Sequence, residues 1–497
     1  MLIVITLLTF ANSWPDTVVF DDKDFVGPDR RVKLDSYGEA FTQDIWQLTD
    51  TASGLYRPVL QIFLEAENRL FGDWLEGFHL VKIFLHLVAT LLLFGYLRHM
   101  VMLTDARTEH ADLVALLPAL IFAVHPAHTE VVNSIFNGSS IIVSIFAISS
   151  LWWLLSRLET RPAQAWLGVG LLYTLAIFVK ESALVLPGIA VVMILILTDG
   201  SFMTRVRRAL PVFLLLIPLI IYFWARGHAI APEQGDDGVG TELVSGRAPM
   251  VKAIAATIGQ DLGTKLATFG LGMKVLAWPY PLQLYYAWPT GLSALLFILL
   301  QAVLAIWALL LLRRGKAGFA AGLAFYYIAL APSIRIISLD GAFPHLAERY
   351  LYFPSIGMAI VLMVAYRFLF DRFGRKKVAL FSLPLLVFLA ALCWERNSEW
   401  ASQLNLFETE YAQGYRGGNT LRLLISAHHS QGNTQRVAQI CDENPHAFKF
   451  SVRLANTCAI AYISARRQDD AIAALEVAAA QPRLWIGARV SLAAIYV

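Results

Sequence analysis

The sequence predicts an all-α polytopic membrane protein with about eleven membrane-crossing helices, followed by a short soluble α-helical segment. Two observations carry this prediction. Hydrophobic residues make up 57% of the 497 residues and charged residues 15%, against about 45–50% and about 25% in an ordinary soluble domain. Several apolar runs also approach the roughly 20 residues with which a helix crosses a bilayer. Because backbone groups cannot stay unpaired in lipid, these runs should be helical.

The apolar runs place the predicted crossings along the first four fifths of the chain. They are residues 1–13, 78–98, 112–127, 135–156, 164–179, 182–198, 210–225, 291–312, 317–333, 350–369 and 378–394. The first run lacks a basic start and a cleavage site, so we expect a membrane helix there rather than a signal peptide. We therefore predict a membrane domain over 1–394 with long polar loops at 14–77 and 226–290, and a soluble domain over 395–497.

Lysine and arginine residues in the short loops predict the orientation. All of them fall on one side of the membrane if the crossings are right, and the positive-inside rule makes that side the cytosol. They are Arg98 and Arg107; Arg157 and Arg161; Arg205, Arg207 and Arg208; Arg313, Arg314 and Lys316; and Arg372, Arg375, Lys376 and Lys377. This pattern requires the partly apolar stretch 250–277 to form interfacial or re-entrant helices within one external loop.

The orientation places both long loops and the C-terminal domain on the non-cytoplasmic side. Arginine content and compact loops favour a bacterial inner membrane with the C-terminal domain in the periplasm, and the endoplasmic-reticulum membrane is the alternative.

The C-terminal domain has the spacing of a helical repeat. From Ala455 onward it matches most of a tetratricopeptide repeat of about 34 residues, at Ala459, Tyr462, Ala471, Leu475, Ala478 and Pro482. Residues 420–445 resemble an earlier, degraded repeat. Three cysteines, Cys393, Cys441 and Cys458, form no metal or redox motif, and we interpret them as structural.

Polar residues whose side chains could take part in a reaction lie on the predicted external face. The acidic pair Asp21-Asp22 follows the first crossing, where it could bind a cation, accept protons or solvate a loop. Ionisable residues at membrane depth are costly and are usually functional or paired. The others near this face are Arg57, His125, His128, Glu130, Lys180, Glu181, Arg335, Glu348 and Arg349.

Each of these groups has a plainer interpretation. His125 and His128 have the spacing of a metal pair, but Pro126 breaks helical geometry and no third ligand is evident, so we predict no metal. Lys180 and Glu181 could be an ion pair that only orients helices.

The two remaining groups are Arg349 and a histidine pair. Arg349 could be an anchor at the membrane interface. However, the paired N–H donors of its guanidinium suit a phosphate, and it lies on the predicted external side, where the positive-inside rule does not expect an arginine. His79 and His86 flank Lys82 on one helical face, which favours hydrogen bonds within the bundle.

No nucleotide-binding motif is present. The chain has no phosphate-binding glycine loop, dinucleotide fingerprint or nucleophile elbow, and nothing indicates nucleic-acid binding. A transfer reaction would therefore need a donor already in the membrane.

The order of the motifs resembles that of the transmembrane and tetratricopeptide-repeat O-mannosyltransferases, which belong to the GT-C glycosyltransferase superfamily. The resemblance covers about 14–482, although Lys82 stands where the family usually has Asn and the repeat region is short. The matching motifs are Phe20-Asp21-Asp22, Tyr56-Arg57-Pro58, Phe78-His79-Leu80 with His86, His125-Pro126 with His128-Thr129-Glu130, Lys180-Glu181, Glu348-Arg349 with Leu351-Tyr352 and Pro354-Ser355, and Arg396-Asn397 with Trp400.

This resemblance implies a GT-C-like bundle with external catalysis and a tetratricopeptide-repeat α-solenoid. The donor would be a polyprenyl-phosphate sugar, mannose or a similar hexose, and the acceptor a protein Ser or Thr hydroxyl, with inversion. Neither a cofactor nor a divalent metal would be required. The roles would be Asp21 or Asp22 as base, Arg57, Lys180 and Arg349 on the donor phosphate, and Glu181, Glu348, His125, His128 and Glu130 in support.

Three other functions remain open at this point. A non-catalytic membrane scaffold would use the repeats to bind a partner protein. A secondary transporter would show internal repeats and charges at the midplane, which the sequence lacks. A transferase that moves a whole polyprenyl-linked oligosaccharide is a variant of the same class.

Overall fold

The computed structural model describes most of the chain. It describes all residues except 16, 28, 47–53, 105–109, 231–246, 335–345, 451, 481–488 and 494–497. Arg335 and Pro482 therefore lie outside the described residues. Side chains are also left out at 104, 247–261, 418–419, 450 and 452–453.

The described residues are mostly helical, as predicted. One antiparallel bridge joins Tyr286 and Leu346. The helices are α1 (Leu2–Thr9), α2 (Pro58–Phe71), α3 (Leu75–Thr104), α4 (Ala111–Ala123), α5 (Thr129–Asn133), α6 (Ser139–Arg157), α7 (Pro162–Val179), α8 (Leu186–Leu197), α9 (Phe202–Ala209), α10 (Leu216–Ala229), α11 (Arg247–Ala277), α12 (Gly291–Arg313), α13 (Ala317–Leu330), α14 (Ser355–Phe373), α15 (Arg375–Glu399), α16 (Gln403–Ala412), α17 (Gly418–Ser430), α18 (Thr434–Glu443), α19 (Val452–Ser464) and α20 (Gln468–Ala479).

Short 3-10 helices connect several of these elements. They are Phe20–Asp24, Glu39–Phe41, Pro126–His128, Glu181–Val185, Leu210–Leu215, Glu348–Tyr350 and Pro445–Phe450.

The chain is a multi-pass membrane protein. Within the described residues, 6 helical stretches are long and apolar enough to cross a membrane, or up to 7 if the bent pair Ala111–Ala123 and Pro126–Asn133 is one span. The other predicted crossings fall on α1, which has 8 residues, on the shorter apolar helices Glu181–Leu197 and α13, and on α14, which carries charges near its end. The count of about eleven therefore stays a prediction.

Contacts divide the chain into two units. One comprises Met1–Trp14 and Asp21–Asn397, and the other Pro15–Phe20 and Ser398–Val497. In the first unit, α13 and α14 approach through two glycines: a Cβ on Gly322 would lie 2.7 Å from the carbonyl oxygen of Gly357. Small residues of this kind let the backbones of two membrane helices approach closely.

Two breaks in the helices carry predicted site residues. α4 ends at Ala123, and α5 begins at Thr129 after a bend of 56°, since Pro126 cannot continue the helical hydrogen bonds. α7 ends at Val179, and Lys180 adopts an extended backbone before the next turn. Broken helices of this kind often build sites in membrane proteins.

The stretch 250–277, which we interpreted as interfacial or re-entrant helices, keeps that interpretation as a prediction. It lies in one helix, α11, of 31 residues. Its described C-terminal part is buried in the first unit with Phe269 and Met273 in a core cluster. Gln301 on α12 donates to the carbonyl oxygen of Leu266 at 2.9 Å. Apolar packing thus outweighs the polar residues that interrupt this stretch.

The C-terminal unit consists of paired helices. α17 packs on α16, and α20 packs on α19, with Ala459, Tyr462 and Leu475 buried in the unit. A disulfide joins Cys441 and Cys458 with 6.0 Å between their Cα atoms, a pairing that the sequence analysis did not predict. Assignment of these helices as tetratricopeptide repeats stays a prediction.

Candidate functional site

The acidic pair lies on the 3-10 turn Phe20–Asp24, and its two members differ in their surroundings. The Asp22 carboxylate is buried and accepts three hydrogen bonds: from the backbone N–H of Ile135 and of Phe136, both at 2.8 Å, and from the Ser134 hydroxyl at 3.0 Å. Burial raises the pKa of Asp22 to about 7, although these bonds oppose the shift. Asp22 therefore joins the acidic turn to the segment before α6.

The surroundings of Asp21 differ from those of Asp22. It is half-buried, and its carboxylate accepts no hydrogen bond from any part of the chain that the structure describes. Burial raises the pKa of Asp21 to about 6; the nearby Arg349 guanidinium opposes this shift, and the Glu130 carboxylate adds to it. A carboxylate with such a pKa can accept a proton near neutral pH.

Arg349 is held by a residue from the broken helix. Its Nη1 donates to Glu130 Oε1 at 2.5 Å, and its backbone N–H donates to Glu130 Oε2 at 2.7 Å. The guanidinium carbon also lies 5.1 Å from the Tyr285 ring centre and 5.0 Å from that of Tyr350. The fully buried Glu130 and the two rings fix the position of this cation.

Arg57 is held in the same manner by a second carboxylate. Its Nε and Nη2 donate to the Glu181 carboxylate at 2.8 to 3.1 Å. Its guanidinium carbon lies 5.7 Å from the Phe136 ring centre. Such a two-pronged pair fixes the plane of the guanidinium.

Lys180 does not pair with its neighbour Glu181. Its Nζ donates to the Ser140 hydroxyl at 2.7 Å. Burial, with the nearby Arg57 and Arg349, lowers the pKa of Lys180 to about 7. The interpretation of Lys180 and Glu181 as an ion pair with each other is therefore wrong, because consecutive residues at the end of α7 point to different neighbours.

The Glu348 side chain contacts other residues than does Arg349, which follows it in the sequence. It is fully buried, and its Oε1 accepts from the Tyr286 hydroxyl at 3.2 Å and from Arg396 Nη2 at 3.4 Å. The ion pairs of Arg349 and Arg57 are with Glu130 and Glu181, and the expected supporting role of Glu348 stays a prediction.

His125 and His128 are tied to main-chain oxygens. His125 Nε2 lies 2.9 Å from the carbonyl oxygen of Leu276, and His128 Nδ1 lies 2.8 Å from that of Phe122. In the described part of the chain, no three His, Cys, Asp or Glu side chains gather in a way that could hold a metal. Both histidines brace the bend between α4 and α5.

Sequence reasoning missed three groups near this site. Ser140 and Tyr285 have no charge and stand outside the recognised motifs. The buried pair Glu67 and Lys82, with Nζ 2.7 Å from both carboxylate oxygens, was also missed. Lys82 deep in an apolar run was a signal for a buried partner.

Known proteins resemble this chain over most of its length. The protein O-mannosyl-transferase TMTC4 of Mus musculus is 24% identical over 82% of this chain and 60% of its own length. TMTC4 of Homo sapiens is 26% identical with the same coverage, and the protein O-mannosyl-transferase F38B6.6 of Caenorhabditis elegans is 23% identical over 82% of this chain and 56% of its own. The resemblance to protein O-mannosyl-transferases is confirmed.

This chain spans about 60% of the length of the first two O-mannosyl-transferases. No protein-family profile matches it, and no solved structure does.

Proposed function

We propose that the chain is a GT-C-type protein O-glycosyltransferase. It moves a mannose or similar hexose from a polyprenyl-phosphate donor to Ser or Thr hydroxyls of proteins on the non-cytoplasmic face. The observation that carries the proposal is the Asp21 carboxylate, which is half-buried, accepts no hydrogen bond from the described residues and lies near the guanidinium of Arg349. The names of the similar proteins support the transfer of a sugar to proteins.

Asp21 is the base in this reaction. An alcohol is a poor nucleophile until its proton is removed, and Asp21 takes that proton as the hydroxyl oxygen bonds to the anomeric carbon. The bond from that carbon to the phosphate oxygen breaks, and its electron pair leaves with the polyprenyl phosphate. Attack from the face opposite the phosphate inverts the anomeric carbon.

The leaving phosphate gains negative charge and needs fixed positive groups. Arg349, Arg57 and Lys180 supply them, and Glu130 and Glu181 hold the two arginines in place. Arg57 uses Nε and Nη2 for Glu181, so its Nη1 can face a ligand. Pre-positioned donors of this kind stabilise developing charge without reorganisation. This scheme requires neither a cofactor nor a divalent metal.

We also propose a non-cytoplasmic location for the site, in a fold with about eleven crossings. The disulfide between Cys441 and Cys458 supports an oxidising compartment for the C-terminal unit. A bacterial inner membrane with this unit in the periplasm is the proposed location, and the endoplasmic reticulum is the alternative. The paired helices of the C-terminal unit bind the acceptor polypeptide or a partner protein.

A sugar-transfer assay tests the proposal. Membranes with the wild type, Asp21→Asn or Asp29→Asn receive a panel of radiolabelled polyprenyl-phosphate sugars, and labelled proteins are separated. Asp21→Asn removes the base at constant size, and we expect transfer to fall at least about 100-fold. Asp29 is exposed in the same external loop, and Asp29→Asn should keep normal transfer.

Two results would contradict the proposal. Equal transfer by wild type and Asp21→Asn would remove Asp21 as the base. A folded wild type that labels no protein with any donor would favour the membrane scaffold instead.

A further inference from the structure

The loop between α11 and α12, residues 278–290, lies against Arg349, one of the cations of the proposed site. It is pinned at two points: the Tyr286 N–H donates to the carbonyl oxygen of Leu346 at 2.7 Å, and the Tyr286 hydroxyl donates to Glu348 Oε1 at 3.2 Å. Just before the loop, the carbonyl oxygen of Leu276 lies 2.9 Å from His125 Nε2. The loop is therefore fixed beside the turn Glu348–Tyr350, which carries Arg349.

Tyr285 points to the other side from Tyr286. The Tyr286 hydroxyl reaches Glu348, while Tyr285 reaches Arg349. The Tyr285 hydroxyl lies 3.4 Å from Arg349 Nη2, and its ring centre lies 5.1 Å from the guanidinium carbon. The side chain is half-buried, which leaves part of it open to a ligand.

Tyr285 also lies within the electrostatic reach of the base. Burial raises the pKa of Tyr285; Arg349 opposes the shift, and the carboxylates of Asp21 and Glu130 add to it. The phenol therefore keeps its proton at neutral pH and can donate a hydrogen bond. A group close to both the base and the phosphate-binding cation borders the space that the transferred sugar must occupy.

We propose that Tyr285 contacts the transferred hexose and contributes to sugar selectivity. This inference rests on the proposed function. The phenol hydroxyl donates a hydrogen bond to a sugar hydroxyl, and the aromatic ring packs against the sugar while holding Arg349. Sites that hydrogen-bond a particular hydroxyl discriminate against isomers that place it elsewhere.

The test compares Tyr285→Phe with the wild type and with Tyr280→Phe. Tyr285→Phe removes the hydroxyl but keeps the ring against Arg349, which Glu130 still holds through two bonds. Tyr280 lies in the same loop and is 53% exposed, so Tyr280→Phe is a matched control. Donor KM and kcat are measured with mannosyl- and glucosyl-phosphate polyprenol, and competition with sugar-free polyprenyl phosphate.

For Tyr285→Phe we expect the KM of the preferred donor to rise about five- to tenfold, which corresponds to one lost hydrogen bond. The preference between the two sugars should shrink by a similar factor. Competition by sugar-free polyprenyl phosphate should stay within twofold of the wild type, roughly, since its phosphate contacts are intact. Tyr280→Phe should match the wild type in all three measurements.

Two outcomes would overturn the inference while the proposed function stands. In the first, Tyr285→Phe transfers both sugars with wild-type KM and preference. In the second, competition by sugar-free polyprenyl phosphate weakens by the same factor by which the KM of the sugar donors rises. That result would mean that the phenol acts through Arg349 on the phosphate. A wild type that neither binds nor transfers any donor would instead end the proposed function and this inference together.

Discussion

Asp21 and Asp22 show how neighbouring residues of one type acquire different tasks. Asp22 accepts three hydrogen bonds and is buried, so its carboxylate is committed to holding the acidic turn. Asp21 has a carboxylate that no described group satisfies, and the turn that Asp22 holds also positions Asp21. In the proposed reaction, Asp21 is therefore the better candidate for the base.

The pH dependence of transfer follows from two residues. Asp21 acts as a base only when deprotonated, so with a pKa of about 6 activity should fall as the pH drops through 6. Lys180 stabilises the phosphate only when protonated, so with a pKa of about 7 activity should fall as the pH rises through 7. We expect a bell-shaped profile of kcat/KM with its maximum between these values.

A lysine variant checks the alkaline side of this profile. Lys180→Met should lower kcat/KM at pH 6.5 by roughly tenfold and abolish the alkaline fall, while the acid fall near pH 6 remains. Lys33, exposed in the external loop, provides the control Lys33→Met with an unchanged profile. An alkaline fall that persists in Lys180→Met would exclude Lys180 as its origin.

At the scale of elements, α2 and α3 are joined by a buried ion pair. The side chains of Glu67 and Lys82 are 5% and 1% exposed, with 2.7 Å between the charged atoms. The Lys82 stem also lies against Gly138, where a Cβ would come within 2.8 Å of Cδ. This contact leads directly to the segment whose amides hold Asp22. The pair thus connects α2 and α3 with the backbone segment that donates hydrogen bonds to Asp22.

Removing one member of this pair should destabilise the fold more than removing both. Lys82→Met leaves the Glu67 carboxylate buried without its partner, and we expect a loss of about 3–5 kcal/mol in the free energy of unfolding. The double variant Lys82→Met with Glu67→Gln should recover more than half of that loss. Reversible unfolding in detergent micelles measures both, and a double variant no more stable than Lys82→Met would contradict the explanation.

At the scale of the whole molecule, positive charges in alternate loops predict the orientation. An odd number of predicted crossings separates Asp73, before α3, from Lys376 at the start of α15. The background for cysteine labelling is low, because Cys393 is buried and the other two cysteines form a disulfide. The two ends of this interval can therefore be probed separately.

We expect cysteines placed at these positions to be labelled from opposite sides of the membrane. A membrane-impermeant thiol reagent should reach Asp73→Cys in sealed right-side-out vesicles and Lys376→Cys only in inverted ones. Labelling of both from one side would show that the number of crossings between them is even. That result would exclude the set of crossings that we predict between residues 73 and 376.

The sequence by itself determined the multi-pass, all-α character of the protein and its resemblance to the O-mannosyl-transferases. These follow from local properties: the length of apolar runs, the lysines and arginines between them, and the order of short motifs. Residues such as Arg57, Glu130, Lys180 and Arg349 could be recognised as candidates for the same reason. Their charges, in a predicted external loop or at the ends of apolar runs, are visible without knowing any contact.

Only the tertiary structure decided which of these residues act on each other. Glu130 and Arg349 are 219 residues apart in the chain, and Arg57 and Glu181 are 124 apart, while the sequence neighbours Glu348 and Arg349 serve different partners. Tyr285 reaches Arg349 from a loop that is held by the bridge between Tyr286 and Leu346 and by the Tyr286 hydroxyl on Glu348. Such contacts arise from the packing of helices distant in sequence, and local patterns do not encode that packing.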